Sequence, residues 1–277
     1  MADKLAIITG ASTGIGFELA SIAAEQGYDL IVVADEPLID AAAADFRRHG
    51  VTVTAVEADL STIEGVDRLL QATAGRRVDV LCANAGISRG EPFLEQEVAV
   101  WRHTIDTNVT GTLYLIQRVL REMVTLRQGK ILVTGSIAGF MPGPFNAVYN
   151  ATKAFIDSIT EALRAELKHA EIDAVTITTL MPGPTETEFF SRAGMEDTLL
   201  GSGPKDDAGA VARQGYDAMR AGQGRVVAAS LATKAQELTA KVLPDTLKAK
   251  MHRQMAEPRG EGPDEASTDA AAAAETA

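Results

Sequence analysis

Leu5-Ala6-Ile7-Ile8-Thr9-Gly10-Ala11-Ser12-Thr13-Gly14-Ile15-Gly16 is the stretch that decides the fold. Leu5 to Thr9 is a short apolar run that reads as a strand, and Gly14 to Gln26 reads as a helix. Three glycines, Gly10, Gly14 and Gly16, make the turn between them. A tight glycine turn lets the backbone approach a pyrophosphate, and the helix behind it aims its N-terminal amides and positive dipole end at that charge. A glycine triplet alone is weak evidence. This one gains weight from its place between the first strand and the first helix. Its spacing is G-x-x-x-G-x-G, not the common G-x-G-x-x-G, and an ordinary glycine turn is the competing explanation.

The rest of the chain alternates in the same way. Strands are expected at Leu30–Ala34, Val51–Glu57, Val80–Ala83, Ile131–Thr134, Ala174–Leu180 and Arg225–Ala228. Helices are expected at Leu38–His49, from Ser61 to about Ala72, across a long region from about Glu97 to Arg127, at Ala147–His169 and at Asp206–Arg220. Ser61-Thr62-Ile63-Glu64 fits a capping box for the third helix. Strands alternating with helices predict an α/β fold: a doubly wound parallel sheet in one domain, residues 1–257, with helices on both faces. Ligands of such sheets bind at the carboxyl ends of the strands. Residues 258–277 turn to Gly, Pro, Ala, Ser, Thr and acids, and are expected to be a disordered tail.

Composition narrows the class of function. Hydrophobic content of 46% and charged content of 23% suit a soluble globular domain. The net charge of −12 argues against nucleic acid and anionic membrane as partners. The single cysteine, Cys82, lies in an apolar run and reads as a buried packing residue. His49, His103, His169 and His252 are scattered without metal-ligand spacing, so no metal is expected and all four are assigned to the surface. No leader pattern and no apolar run of transmembrane length is read, which makes the cytoplasm the expected location.

Seven motifs, taken in order, resemble the short-chain dehydrogenase/reductase family, whose members are Rossmann-fold NAD(P)-dependent oxidoreductases. They are Thr9-Gly10-x-x-x-Gly14-Ile15-Gly16, Asp59-Leu60, Asn84-Ala85-Gly86, Asn108, Ser136, Tyr149-x-x-x-Lys153 and Pro182-Gly183. The resemblance covers Met1 to about Arg225. It implies hydride transfer between a nicotinamide and an alcohol or carbonyl, by way of Asn108, Ser136, Tyr149 and Lys153. It also implies a cofactor site built from Gly10, Ser12, Thr13, Gly14, Ile15, Gly16, Asp35, Asp59, Leu60, Asn84, Ala85, Gly86, Tyr149, Lys153, Pro182, Gly183, Thr185 and Thr187. In the family Lys153 would bond the nicotinamide ribose, Thr187 the carboxamide, and the Asn108 carbonyl a relay water. Thr185 departs from the family's usual aliphatic residue, which leaves its contact open.

The chemistry of these residue types agrees. Tyr149 and Lys153 lie four apart on a predicted helix and therefore share a face. A free tyrosine titrates at about 10, too high for neutral acid–base work, and a neighbouring ammonium favours the phenolate. Ser136 can hydrogen-bond a substrate oxygen, or simply turn the chain after a strand. Asn108 is equally suited to capping or kinking its helix. Asp35 ends the second strand nineteen residues past Gly16, where an acid accepts from the adenosine ribose and repels a phosphate, so NAD is expected over NADP. The nearest following basic residue is Arg47.

Phe140, Met141, Phe145, Phe189 and Phe190 suggest an apolar alcohol or ketone substrate, with core packing as the alternative. Gly194, Gly201 and Gly203 suit a mobile lid. By the resemblance, the long helices at about Asn108–Arg127 and Ala147–His169 imply a homodimer or homotetramer. The contrasting function is a catalytically silent nucleotide sensor on the same fold, and within enzymes an isomerase, dehydratase or epimerase. The set Asn108, Ser136, Tyr149 and Lys153 favours the oxidoreductase, since a sensor needs none of them.

Overall fold

The first strand has no polar face, because both of its faces are covered. In the computed structural model, which describes residues 4–228 and 243–259, β1 (Leu5–Thr9) is buried throughout. Its side chains alternate between two cores. Ala6 and Ile8 join Leu19, Phe46, Val211 and Tyr216 on one side. Leu5 and Ile7 join Val66, Leu69, Leu115 and Ile156 on the other.

Around β1 run β2 (Asp29–Ala34), β3 (Val53–Glu57), β4 (Val80–Ala83), β5 (Gly129–Thr134), β6 (Val175–Pro182) and β7 (Arg225–Ala228), in the order β3-β2-β1-β4-β5-β6-β7. Every pairing is parallel. The chain winds outward from β1 to β3, returns to β4, and winds outward again. The switch falls between β1 and β4, whose carboxyl ends open onto a crevice. Helices α1 (Gly14–Glu25), α2 (Leu38–Arg47), α3 (Ile63–Gln71), α4 (Val98–Ile105), α5 (Thr112–Leu126) and α6 (Ala147–His169) link the strands, and short α7 (Phe189–Arg192) and α8 (Leu199–Ser202) precede α9 (Ala208–Arg220). Expected strands and helices agree with these to within two residues at their ends, apart from the long helical region.

Five differences are informative. The cap of α3 is Thr62, not Ser61: the Thr62 hydroxyl accepts from Gly65 N at 3.0 Å. Ser61 N instead donates to the Asp59 carboxylate at 2.8 Å, so Ser61 belongs to the strand-end turn and no capping box forms. The region expected as one helix from Glu97 to Arg127 is α4 and α5 joined by a widened π-helical turn, Asp106–Gly111. A further helix, α10 (Asp245–Ala256), was not anticipated. It docks on a small third core of Phe190, Ala193 and Met195. His252, expected at the surface, is buried on α10, with Nδ1 3.1 Å from the Pro144 carbonyl. Of the three glycines in residues 189–203, Gly201 and Gly203 are closely packed, with a Cβ on Gly201 overlapping the Met195 carbonyl, whereas Gly194 has φ +67 and a Cβ there would meet nothing nearer than 3.8 Å. The expected tail falls almost wholly on residues outside those described.

Candidate active site

The turn after β1 needs glycine for two different reasons. Gly14 has φ +58, a left-handed conformation that disfavours side chains, and a Cβ there would sit 2.7 Å from Thr187 Cγ2. A Cβ on Gly16 would overlap the Gly10 carbonyl oxygen. The turn therefore packs tightly on itself and on the chain after β6. Asn84 locks it from beneath, donating to the Thr9 and Gly10 carbonyls at 3.2 and 3.4 Å and accepting from Thr134 Oγ1 at 2.9 Å. The carboxyl ends of β1, β4 and β5 are thus held by one amide.

A cleft of about 790 Å³ opens over these strand ends. Gly10, Ser12, Thr13, Gly14 and Ile15 of the glycine turn line it, as do Asp35, Asp59 and Leu60. Asn84, Ala85 and Gly86 after β4, and Pro182, Gly183, Thr185 and Thr187 at the end of β6 and beyond, line it too. Ser136, Tyr149 and Lys153 lie together in the same cleft. Gly16 lies behind the turn, outside the lining, and acts by packing. The fit to a dinucleotide is physical: an amide-rich glycine turn at a helix N-terminus lies between an acid-bearing strand end and the Ser–Tyr–Lys cluster. Thr185 is buried, and its hydroxyl is taken up by the Gly183 carbonyl at 2.9 Å.

Asn108 does not line the cleft. It sits in the π-turn, where its side chain accepts from Ile87 N at 2.8 Å and donates to Ile87 O at 2.9 Å and Thr152 Oγ1 at 3.0 Å. It therefore braces the chain after β4 against α6. The bulge in the helix and the amide clamp belong together, since π-turns place a residue off the regular ladder.

Ser136 follows β5, accepts from Ala138 N at 3.1 Å and donates to Pro182 O at 3.5 Å. Lys153 is buried and donates to Thr134 O at 2.8 Å, with its ammonium 5.6 Å from the centre of the Tyr149 ring. Burial decides both titrations. It pushes the Tyr149 phenol up to about 12, against a hydrogen bond from Ser136, and pushes Lys153 down to about 8, against the charge of Asp157. Tyr149 is not brought down as expected from the sequence: desolvation of the phenolate dominates, and the charge of Asp157 adds to it. Phe189 packs on the Tyr149 ring, centroids 5.1 Å apart. Of the five apolar candidates, Met141, Phe189 and Phe190 line the cleft, while Phe140 and Phe145 do not.

Three contributors were not legible in the sequence. His252 and Met255 reach the cleft from α10. Arg192, on α7, bonds Glu36 at 2.9 and 3.3 Å and Glu188 at 3.2 Å. Glu36 also accepts from Ser12 Oγ at 2.6 Å, so an ionic bridge spans the cleft from the β2 end to the chain after β6. Those partners hold the Glu36 carboxyl below its usual range, the Ser12 bond most of all. Only the regularity of α7 could have aligned Arg192 with Glu188, and nothing in the sequence links it to Glu36, 156 residues away. Among the described residues no cluster of three or more metal-ligating side chains occurs, and no helix is long and apolar enough to cross a membrane.

Residues 4–197 match the family model described as short chain dehydrogenase. The 3-oxoacyl-[acyl-carrier-protein] reductase of Synechocystis sp. is 32% identical over 200 residues, 71% of this chain and 80% of that protein. A short-chain dehydrogenase from Sphingobium yanoikuyae in complex with NADPH superposes with a TM-score of 0.75 at 26% identity, covering 94% of this chain and 99% of that one. A short-chain dehydrogenase/reductase from Burkholderia phymatum in complex with NAD gives 0.77 at 23%, covering 94% and 97%.

Proposed function

From the premise that the chain belongs to the short-chain dehydrogenase family, we propose that it is an oxidoreductase that interconverts an alcohol and a carbonyl, with Ser136, Tyr149 and Lys153 as its catalytic residues. One observation carries the reading: these three side chains share a single cleft with the glycine turn and the β2 acid. A bound nicotinamide dinucleotide supplies or accepts the hydride. The protein's own part is the proton. In reduction the Tyr149 hydroxyl donates to the carbonyl oxygen as hydride reaches its carbon, and in oxidation the proton returns. A phenol at about 12 is protonated at neutral pH and set to donate. Ser136 hydrogen-bonds the same substrate oxygen as charge develops on it. Lys153 would hold the nicotinamide ribose and restore the proton of Tyr149, and by the family resemblance the Asn108 carbonyl would link it onward to water.

NAD(H) is the preferred cofactor in this reading, since Asp35 lies exposed at the ribose end of the cleft. The substrate is an apolar alcohol or ketone held between Met141, Phe189 and Met255. A homo-oligomer forms through the outer faces of α5 and α6, where Leu126 and Phe155 stand 47% and 41% exposed. The test is NADH consumption with a panel of ketones and aldehydes, and NAD reduction with the matching alcohols, for wild type and Tyr149→Phe. Tyr149→Phe should lose on the order of a hundredfold or more in kcat while keeping its affinity for NADH. Retention of more than about a tenth of wild-type turnover would refute the role of Tyr149.

A further inference from the structure

Asp157 lies one turn beyond Lys153 and two beyond Tyr149, so three ionisable groups stack along one face of α6. It is 7% exposed, and neither carboxyl oxygen has a hydrogen-bond partner among the described residues. Buried polar groups are nearly always paired, which makes an unpaired carboxyl one turn from a catalytic lysine a feature to explain. The carboxyl is wedged against the turn that carries Ser136. A Cβ on Gly135 would run into Oδ1, and one on Gly139 into Oδ2. The two glycines flanking Ser136 therefore leave room for this acid.

The charges around Asp157 come from three places. Lys153 and Arg164 share its helix, Arg225 approaches from β7, and Tyr149 feels its charge from above. The segment Gly135–Phe140 brings no titratable side chain, and β6 brings the Thr179 methyl beside Gly135. We propose that Asp157 is a positioning residue whose carboxyl, seated between the Tyr149–Lys153 pair and the Ser136 turn, sets the proton affinity of that pair. The proposal rests on the reading of Tyr149 as the proton carrier.

An ionised Asp157 favours keeping the proton on both Tyr149 and Lys153, and a neutral one favours releasing it. Burial pushes the carboxyl up to about 7, opposed by the three cations, so its charge changes in the neutral range. The three groups titrate as a coupled set.

The experiment is the pH dependence of kcat/KM for alcohol oxidation with NAD, using the best alcohol from the panel, for wild type, Asp157→Asn and Asp157→Glu. Removing the negative charge lowers the proton affinity of Tyr149 and Lys153. The acidic limb of Asp157→Asn should therefore move about half to one pH unit toward lower pH, and Asp157→Glu should keep the wild-type limb. A purely structural role would lower rates at every pH and leave the limb in place. An Asn limb superimposed on wild type, or a Glu limb displaced as far as the Asn limb, overturns the proposal. Asp157→Ala, which needs less room, takes the place of the Asn variant if that chain does not fold. Tyr149→Phe measured alongside separates the two ideas. An active Tyr149→Phe removes both, whereas an inactive one with an unmoved Asp157→Asn limb removes only the role of Asp157.

Discussion

The two acids at the end of β2 have different neighbours, and the difference isolates one of them. Glu36 is engaged by Ser12 and Arg192, which leaves Asp35, exposed and lining the cleft, as the acid that would meet the adenosine ribose in the proposed reading. Asp35→Arg should move the ratio of kcat/KM for NADH over NADPH toward NADPH by about tenfold or more, since it removes a repulsion and adds a phosphate partner. A wild-type ratio already favouring NADPH would contradict the assignment. Asp157 makes a separate claim on stability. Its folded value is raised, so between about 4 and 7 the folded chain holds a proton that the unfolded chain has lost. Stability from this group is present at low pH and falls as pH rises through 7. Thermal melts from pH 5 to 8 should show a decline that Asp157→Asn flattens. Tyr149 and Lys153 stood out in the sequence because helical spacing puts them on one face and the family's motifs, with Ser136 upstream, frame them; the spacing alone would not have singled them out. Arg192 did not stand out, because its partner lies across the cleft on a different strand end, and no local period encodes that.

At the scale of elements, α6 was legible from Ala147 to His169 because its apolar residues recur at helical spacing over six turns. The parallel strands were legible as apolar runs because both faces are buried. The entry to α3 misled because Ser61 and Thr62 are both able caps, and only the turn from Asp59 decides between them. Thr62→Ala should therefore cost about 1 kcal/mol, while Ser61→Ala, whose hydroxyl caps nothing, should cost a few tenths at most. Chemical denaturation of both variants distinguishes the two caps, and equal losses would reject the assignment. The last helix, α10, gave no clear sign because it buries only His252 and Ala256 along its length. Its apolar stripe is too thin for periodicity to reveal. The π-turn escaped notice for another reason: its sequence, Asp106 to Gly111, is compatible with a regular helix, and the bulge is imposed by the clamp between Asn108, Ile87 and Thr152.

At the scale of the molecule, the cleft draws on residues from Gly10 to Met255. Any ligand that bridges it should hold the whole fold. Saturating NADH at about a hundred times its Kd should add about 2.7 kcal/mol, seen as a rise in Tm of roughly 5–10 °C. Asp35→Arg should reduce that rise for NADH and leave the ligand-free melt nearly unchanged. The general architecture could be read from the sequence because alternation of strand and helix has few topological solutions. The part of the cleft lined by Phe190, Leu200 and Met255 could not, because α10 meets α7 and α8 there through contacts that are remote along the chain.

The switch between β1 and β4 also sets an order in time. The cleft lining from Gly10 to Leu60 leaves the ribosome before β4 begins. Ser136, Tyr149, Lys153 and the segment Pro182–Thr187 follow; within the sheet they join the earlier half through three register pairs, Ala6 with Val80, Ile7 with Leu81 and Ile8 with Cys82, and outside it Leu19 meets Val211 and Tyr216 in a shared core. A growing chain therefore presents the proposed nucleotide shelf before the proposed catalytic residues exist, and the two halves become one cleft only when β4 pairs with β1 and the shared cores close.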